Sequence, residues 1–278
     1  MEQRFVNANG LRFATLEAGS GPLVLLLHGF PDTAHTWDRA IAAFAAAGFR
    51  AVAPFMRGYH PTEIPPGGAY DTDTLAQDVV ALIEAQTEEP AIVIGHDWGA
   101  SAAYGAATIA PGRVRLLVTF AIPHPRSIKP TPRLAWAVRH FVTLRGRGAA
   151  RRVARDDFAV VDELWQRWSV GWQVPPSETA HVKAAFRAAG SLDAALGYYR
   201  ALTLRTPDCH RGPVTVPTIA FAGEQDLISP RAFEKARHVF TASYEVVQVP
   251  GGHFMHRQHA DHVIPELVRV VTDHARVR

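Results

Sequence analysis

The sequence predicts an α/β fold: a doubly wound, mostly parallel sheet with a helical cap inserted before the last two strands. Three observations carry that expectation. Short apolar runs alternate with Ala-rich or amphipathic stretches over residues 1–123. The alternation stops over 124–213, where no buried-strand run occurs. Strand signals then resume over 214–278. The expected division is a first core part at 1–123, a cap at 124–213 and a second core part at 214–278.

The first strand signal is LRFATLEAG, closed by a glycine turn. PLVLLL (22–27) is continuously apolar, as a strand buried on both faces of a parallel sheet must be. Residues 37–47 read as a helix that stops at Gly48. RAVAPFMRG is the next strand. DTDTLAQDVVALIEAQ opens on capping residues and carries an apolar stripe at Leu75, Val79, Leu82 and Ile83. AIVIG, GASAAYGAATIA and VRLLVTFA follow as strand, helix and strand. The cap region offers four helical stretches: RLAWAVRHFV, FAVVDELWQRWSVGW, HVKAAFRAAG and LDAALGYYRALTL. Prolines punctuate it at Pro175-Pro176 and in RGPVTVP. TVPTIAFAGEQD and YEVVQVPGG are the last strands, and a final helix covers most of 262–276.

Bulk properties narrow the function classes. Hydrophobic residues make up 47% of 278, and charged residues 20%, which fits a globular protein with a substantial core. The formal net charge is +3, and the basic residues Arg145, Arg147, Arg151, Arg152 and Arg155 read as a solvated helix face. No base-reading module accompanies them, so nucleic acid is not expected as a partner. Cys209 is the single cysteine, which suits a reducing compartment. MEQRFVNANG has no apolar stretch of the kind a signal peptide needs, and no uncharged run is long enough to span a bilayer. The expectation is a cytoplasmic monomer or homodimer with no membrane partner, no cofactor and no metal.

Residues 95–99 read GHDWG, between the strand AIVI and the small-residue run ASAAYGAA. A strand, a glycine-flanked turn and a helix frame a nucleophile elbow, with Asp97 where a serine commonly stands. Alone, the stretch reads equally as an N-cap aspartate or as an outward-facing nucleophile at the carboxyl edge of the sheet. LLLHGFPD (25–32) places His28, Gly29, Phe30 and Pro31 directly after a buried strand. That loop is either an ordinary β-to-α turn or a donor loop. As a donor loop, the N–H groups of Phe30 and Trp98 would make an oxyanion pocket, with His28 expected beside them among the substrate-binding residues.

VPGGHFMHRQHAD holds His253, His256 and His259, with His262 next. A metal cluster is one reading. His253 alone follows a strand and two glycines, so it is the expected base. IAFAGEQDLIS supplies its orienting carboxylate at Asp226, with Glu224 as the alternative. The chain order nucleophile, acid, histidine is that of an α/β-hydrolase triad.

The residue type then selects the chemistry. A carboxylate is ionised at neutral pH and attacks without activation. Attack on an acyl group would give an anhydride, whereas attack on a saturated carbon gives a stable ester. His253, oriented by Asp226, can activate water to cleave that ester, and the Phe30 and Trp98 N–H groups would hold the oxyanion. The leaving group is then the alkoxide of a strained epoxide, or a halide.

HGFPD, GHDWGA, PHPR, GYYRAL, GEQD and GGHFMH resemble the epoxide hydrolase and haloalkane dehalogenase branch of the α/β-hydrolase superfamily, from about residue 4 to 272. The resemblance implies an Asp nucleophile, a His–Asp pair and two cap tyrosines that hydrogen-bond the epoxide oxygen. The second tyrosine falls on Tyr199, with Tyr198 as its neighbour. The first is missing: its slot holds Phe141 or a neighbour, with His140 and Arg139 as candidate substitutes. The resemblance thus implies an epoxide hydrolase acting on a small apolar organic substrate and water. The alternative is a haloalkane dehalogenase with Trp98 as a halide donor and a second donor among Trp136, Trp165, Trp168 and Trp172. A non-catalytic binding protein is the third reading.

Overall fold

Eight strands form one sheet in the computed structural model, which describes residues 1–129 and 131–276. They are β1 (Glu2–Ala8), β2 (Leu11–Ala18), β3 (Leu23–Leu27), β4 (Arg50–Pro54), β5 (Ala91–His96), β6 (Val114–Phe120), β7 (Thr218–Gly223) and β8 (Tyr244–Val249). Their order is β1-β2-β4-β3-β5-β6-β7-β8. From β4 to β8 every pairing is parallel, while β1 and β2 run antiparallel at one edge. The expected mostly parallel sheet is therefore present.

Strands β3, β5 and β7 are buried at every position, because helices cover both faces. Helices α1 (Asp38–Ala46), α2 (Thr72–Glu84) and α3 (Trp98–Ile109) alternate with the strands. Asp71 caps α2 by accepting from the Thr74 N–H at 2.9 Å. The stripe Leu75, Val79, Leu82 and Ile83 is buried as the pattern requires.

The sequence reading missed β1. Its residues are largely exposed and polar, so no apolar run announces it. The available signal was Asn9-Gly10, both with positive φ (43° and 73°), which turns β1 back onto β2.

Between β6 and β7 lie α4 (Pro132–Ala137), α5 (His140–Arg145), α6 (Ala149–Val153), α7 (Ala159–Trp168), α8 (Pro176–Arg187) and α9 (Ser191–Ala201). The stretch RLAWAVRHFV is not one helix: it breaks between α4 and α5 at Val138 and Arg139. α10 (Pro230–Lys235), α11 (Met255–Gln258) and α12 (Ala260–Arg276) complete the chain. The final helix starts two residues before the expected 262. No helix among the described residues is long and apolar enough to cross a membrane.

The helical insertion is seated on loops that leave the carboxyl ends of β3 and β4. The Trp165 indole Nε1 donates to the Pro31 carbonyl at 2.8 Å. The Tyr198 hydroxyl donates to the Arg57 carbonyl at 2.9 Å. Ser191 Oγ accepts from the His60 N–H at 2.9 Å and donates to the Gly58 carbonyl at 3.1 Å. Arg57 is itself held by a buried pair with Asp78, at 2.5 and 2.7 Å. The insertion therefore covers the edge of the sheet where the sequence motifs converge.

Candidate active site

In-register parallel pairing brings several strand ends to one edge. Leu27 lies beside Gly95, and Gly223 beside Val249. The residues that follow these ends, in the loops after β3, β5, β7 and β8, supply the site.

Asp97 joins β5 to α3 with φ 52° and ψ −117°. A non-glycine residue adopts that backbone only under constraint, and such strain gathers at functional sites. Its carboxylate makes no capping bond to α3, which removes the N-cap reading. Instead Oδ1 accepts from the Phe30 N–H at 2.9 Å. Gly29 permits the approach: a Cβ there would lie 2.4 Å from Asp97 Oδ1. Trp98 occupies the first turn of α3, where an N–H has no partner within the helix.

His253 stands between two carboxylates. Its Nε2 is 3.5 Å from Asp97 Oδ2, and its Nδ1 is 3.3 Å from Asp226 Oδ1. Its main chain is clamped from both sides. The His253 N–H donates to the Trp168 carbonyl at 2.8 Å, and its carbonyl accepts from His96 Nε2 at 2.9 Å. His96 and Trp168 were not assigned these roles from sequence. Trp168 contributes a carbonyl, which leaves no mark on residue type, and the His96 ring bonds the main chain of a residue distant in the sequence.

The two aspartates differ in access. The Asp97 side chain keeps 16% of its surface, whereas Asp226 keeps 0%. Asp226 Oδ1 also accepts from the Leu227 N–H at 2.6 Å. The alternative acid, Glu224, is exposed.

The electrostatics follow from this crowding. Burial works to lower His253, but Asp226 and Asp97 outweigh it and raise the imidazole to about 10. Burial works to raise Asp97, yet the His253 hydrogen bond and charge hold its carboxyl below the ordinary value. Asp97 is therefore an anion at neutral pH with one oxygen held and the other beside an imidazole.

Aromatic rings close the space above. Tyr199 is buried and meets Phe30 and Trp98 edge-on, with centroids 5.1 and 5.4 Å apart. Burial and the Asp97 charge push its hydroxyl well above 10, so it keeps its proton. Tyr198 turns away to bond Arg57. Phe141 lies 5.1 Å from Tyr199, and the buried His140 lies 6.2 Å from it. Burial lowers His140 to about 4, leaving it neutral. Arg139 instead lies over the exposed Trp136 ring at 4.2 Å.

One expectation is corrected. His28 offers nothing to a substrate, because both ring nitrogens are taken by main chain. Nδ1 lies 2.9 Å from the Gly29 carbonyl, and Nε2 accepts from the Met56 N–H at 2.9 Å. It braces the donor loop from behind. The histidines of 253–262 do not form a metal cluster either. His256 Nε2 bonds Thr36 Oγ1 at 2.8 Å, and His259 and His262 lie in other surroundings. Among the described residues the group suited to a cation is His35, Asp38 and His181, outside this site.

Comparison with known proteins bears on the family and the fold. A family model described as alpha/beta hydrolase fold matches residues 22–260. The chain is 32% identical to the AB hydrolase superfamily protein YfhM of Bacillus subtilis, over 94% of this chain and 91% of that one. It is 28% identical to epoxide hydrolase A of Mycobacterium tuberculosis, over 97% of each. Among solved structures, the epoxide hydrolase of Bacillus megaterium superimposes with a TM-score of 0.84 at 23% identity, covering 98% of this chain and 100% of that one.

Proposed function

This chain belongs to the alpha/beta hydrolase fold family, and from that premise we propose that it is an epoxide hydrolase working through an ester on Asp97. The observation that carries the reading is the Asp97 carboxylate itself: one oxygen on the Phe30 N–H, the other facing His253. The names of its relatives point the same way.

Asp97 Oδ2 attacks a ring carbon, and that carbon's bond to the epoxide oxygen breaks. The alkoxide takes the Tyr199 proton. His140 stands beside Tyr199 where the resemblance implies a second donor. Ester formation removes the Asp97 charge, and with it part of what raises His253. The imidazole can then give up its proton, by way of solvent, to the Tyr199 phenolate, and act as a base. Water gives it a proton and adds to the Asp97 carbonyl carbon. The oxyanion falls on the oxygen already held by the Phe30 N–H, with the Trp98 N–H beside it. As the ester C–O bond breaks, His253 protonates the departing oxygen to give the diol. The proton left on the Asp97 carboxyl returns to His253, whose Nε2 faces it, and the starting state is restored.

The substrate is a small apolar epoxide, consistent with the aromatic walls. The helical segment 124–213 acts as the cap over the core parts 1–123 and 214–278, and the protein works in the cytoplasm. The test is mass spectrometry of a His253→Gln variant exposed to styrene oxide. An adduct on the Asp97 peptide is expected; an unmodified peptide, while the wild type turns the epoxide over, refutes the ester.

Halide displacement is a second reading, and one observation favours it. The Trp168 indole N–H is buried without an acceptor, and its ring lies 5.1 Å from His253. Halide release from a bromoalkane panel decides between the two.

A further inference from the structure

A group of ligand-type side chains lies outside the Asp97 site, where the helical insertion meets the core. His35 precedes α1, Asp38 opens α1, and His181 belongs to α8. One ligand atom from each lies within 4.8 Å of the others. His35 Nδ1 is 3.2 Å from both oxygens of Asp38. That is the spacing of two donors on one small cation with bonds of about 2.0–2.2 Å. The His181 ring lies over the His35 ring, with centroids 3.8 Å apart and planes at 22°.

The His35–Asp38 contact is also a hydrogen bond, and the His35 ring meets Phe55 edge-on at 5.7 Å. Two imidazoles are stacked at a partly accessible seam with a carboxylate beside them. Among the described residues, neither ring nitrogen of His181 makes a hydrogen bond. The neighbouring charges are already matched. Glu178, one turn before His181, bonds Arg257 at 2.7 Å, and Arg257 also donates to the His35 carbonyl at 3.3 Å. Asp38 is thus the carboxylate left to face the two imidazoles.

We propose that His35, Asp38 and His181 bind a divalent transition-metal ion of the zinc class, with water completing the shell, and that the ion clips the insertion to the core. Two neutral nitrogens and one carboxylate form the donor set such an ion prefers over calcium or magnesium. The clip spans α1 and α8, so a bound ion stabilises the folded, closed arrangement. Sequence alone could not reveal it: His35 and Asp38 are neighbours on one turn, but His181 is distant in the chain.

The experiment uses the untagged full chain stripped with a chelator. Calorimetric titration with zinc is expected to show one ion per chain and to raise the melting temperature. Cobalt(II) is expected to give the visible absorption of a low-coordinate nitrogen and oxygen site. His181→Ala and Asp38→Asn are each expected to abolish the high-affinity event and the melting shift. Magnesium is expected to do neither. No zinc binding by the wild type overturns the proposal. So does binding that persists unchanged in both variants, which would assign the ion to another histidine group. The result is independent of the epoxide hydrolase reading, because no readout involves turnover.

Discussion

Replacing Asp226 with asparagine separates the two halves of the proposed reaction. The substitution keeps the shape of the side chain and removes its charge. In the structure that charge lies 3.3 Å from His253 Nδ1, on a side chain with no accessible surface. At that separation, with an effective dielectric of about 20, the gross attraction is roughly 5 kcal/mol before desolvation is subtracted. Its loss lowers the imidazole pKa from about 10 and frees the ring to choose the wrong tautomer. Asp97 needs no base to attack, so ester formation continues. Water activation does need the oriented base, so hydrolysis slows by about 10²–10⁴-fold. The assay is a rapid-quench experiment on Asp226→Asn with styrene oxide, read by diol release and by mass of the Asp97 peptide. A burst of ester followed by slow diol release is expected. The exposed Glu224→Gln serves as the comparison, with turnover like the wild type. A folded Asp226→Asn protein that forms no ester, or one that turns over like the wild type, refutes the reasoning.

Four further outcomes are expected. Tyr199→Phe lowers steady-state epoxide turnover by about 10²–10⁴-fold, since it removes the proton donor. Tyr198→Phe instead costs about 1 kcal/mol in urea denaturation, because its hydroxyl bonds the Arg57 carbonyl. Gly29→Ala drives a Cβ against Asp97 Oδ1; a displacement of about 1 Å there lowers kcat/KM on the order of 10²-fold, while circular dichroism stays native. Stability falls on both sides of about pH 6.5. His253 is raised to about 10, so its contribution is complete below 6.5 and is lost as pH rises toward 10. His28, His96 and His140 are lowered to about 4, 3 and 4, so theirs is complete above 6.5 and is lost as pH falls toward those values. Urea midpoints across pH 4–10 check this, and His253→Gln flattens the alkaline side only.

What the sequence discloses depends on how many faces an element buries. Strands β3, β5 and β7 are buried on both faces and read as unbroken apolar runs. Strand β1 buries almost nothing, and only its Asn-Gly turn marks it. The break between α4 and α5 was hidden because RLAWAVRHFV has helix-forming residues throughout, with no proline or glycine at the kink. Asp97, His253 and Asp226 were legible because a strand end fixes where the next side chain can go. His28 shares that loop, but the direction of a ring depends on partners such as Met56, far off in the chain. Trp168 acts through its main-chain carbonyl, which every residue possesses, and His96 through a ring whose partner is the main chain of His253, far off in the sequence.

The two aspartates flanking His253 begin with the same reference acidity, so residue type cannot assign their tasks. Environment does. Asp226 is sealed from solvent and held by the Leu227 N–H, so no electrophile can reach it. Asp97 retains 16% of its surface and is strained toward the covered edge of the sheet. Of the two, Asp97 is therefore the one that the proposed reaction turns into an ester, with loss of its charge. That single change turns an imidazole flanked by two anions into an imidazole flanked by one. In the proposed reaction the histidine is held protonated while the nucleophile is free and is released as a base only once the nucleophile is spent. Water activation is thereby tied to the presence of the ester, which is the order that hydrolysis of a covalent intermediate requires.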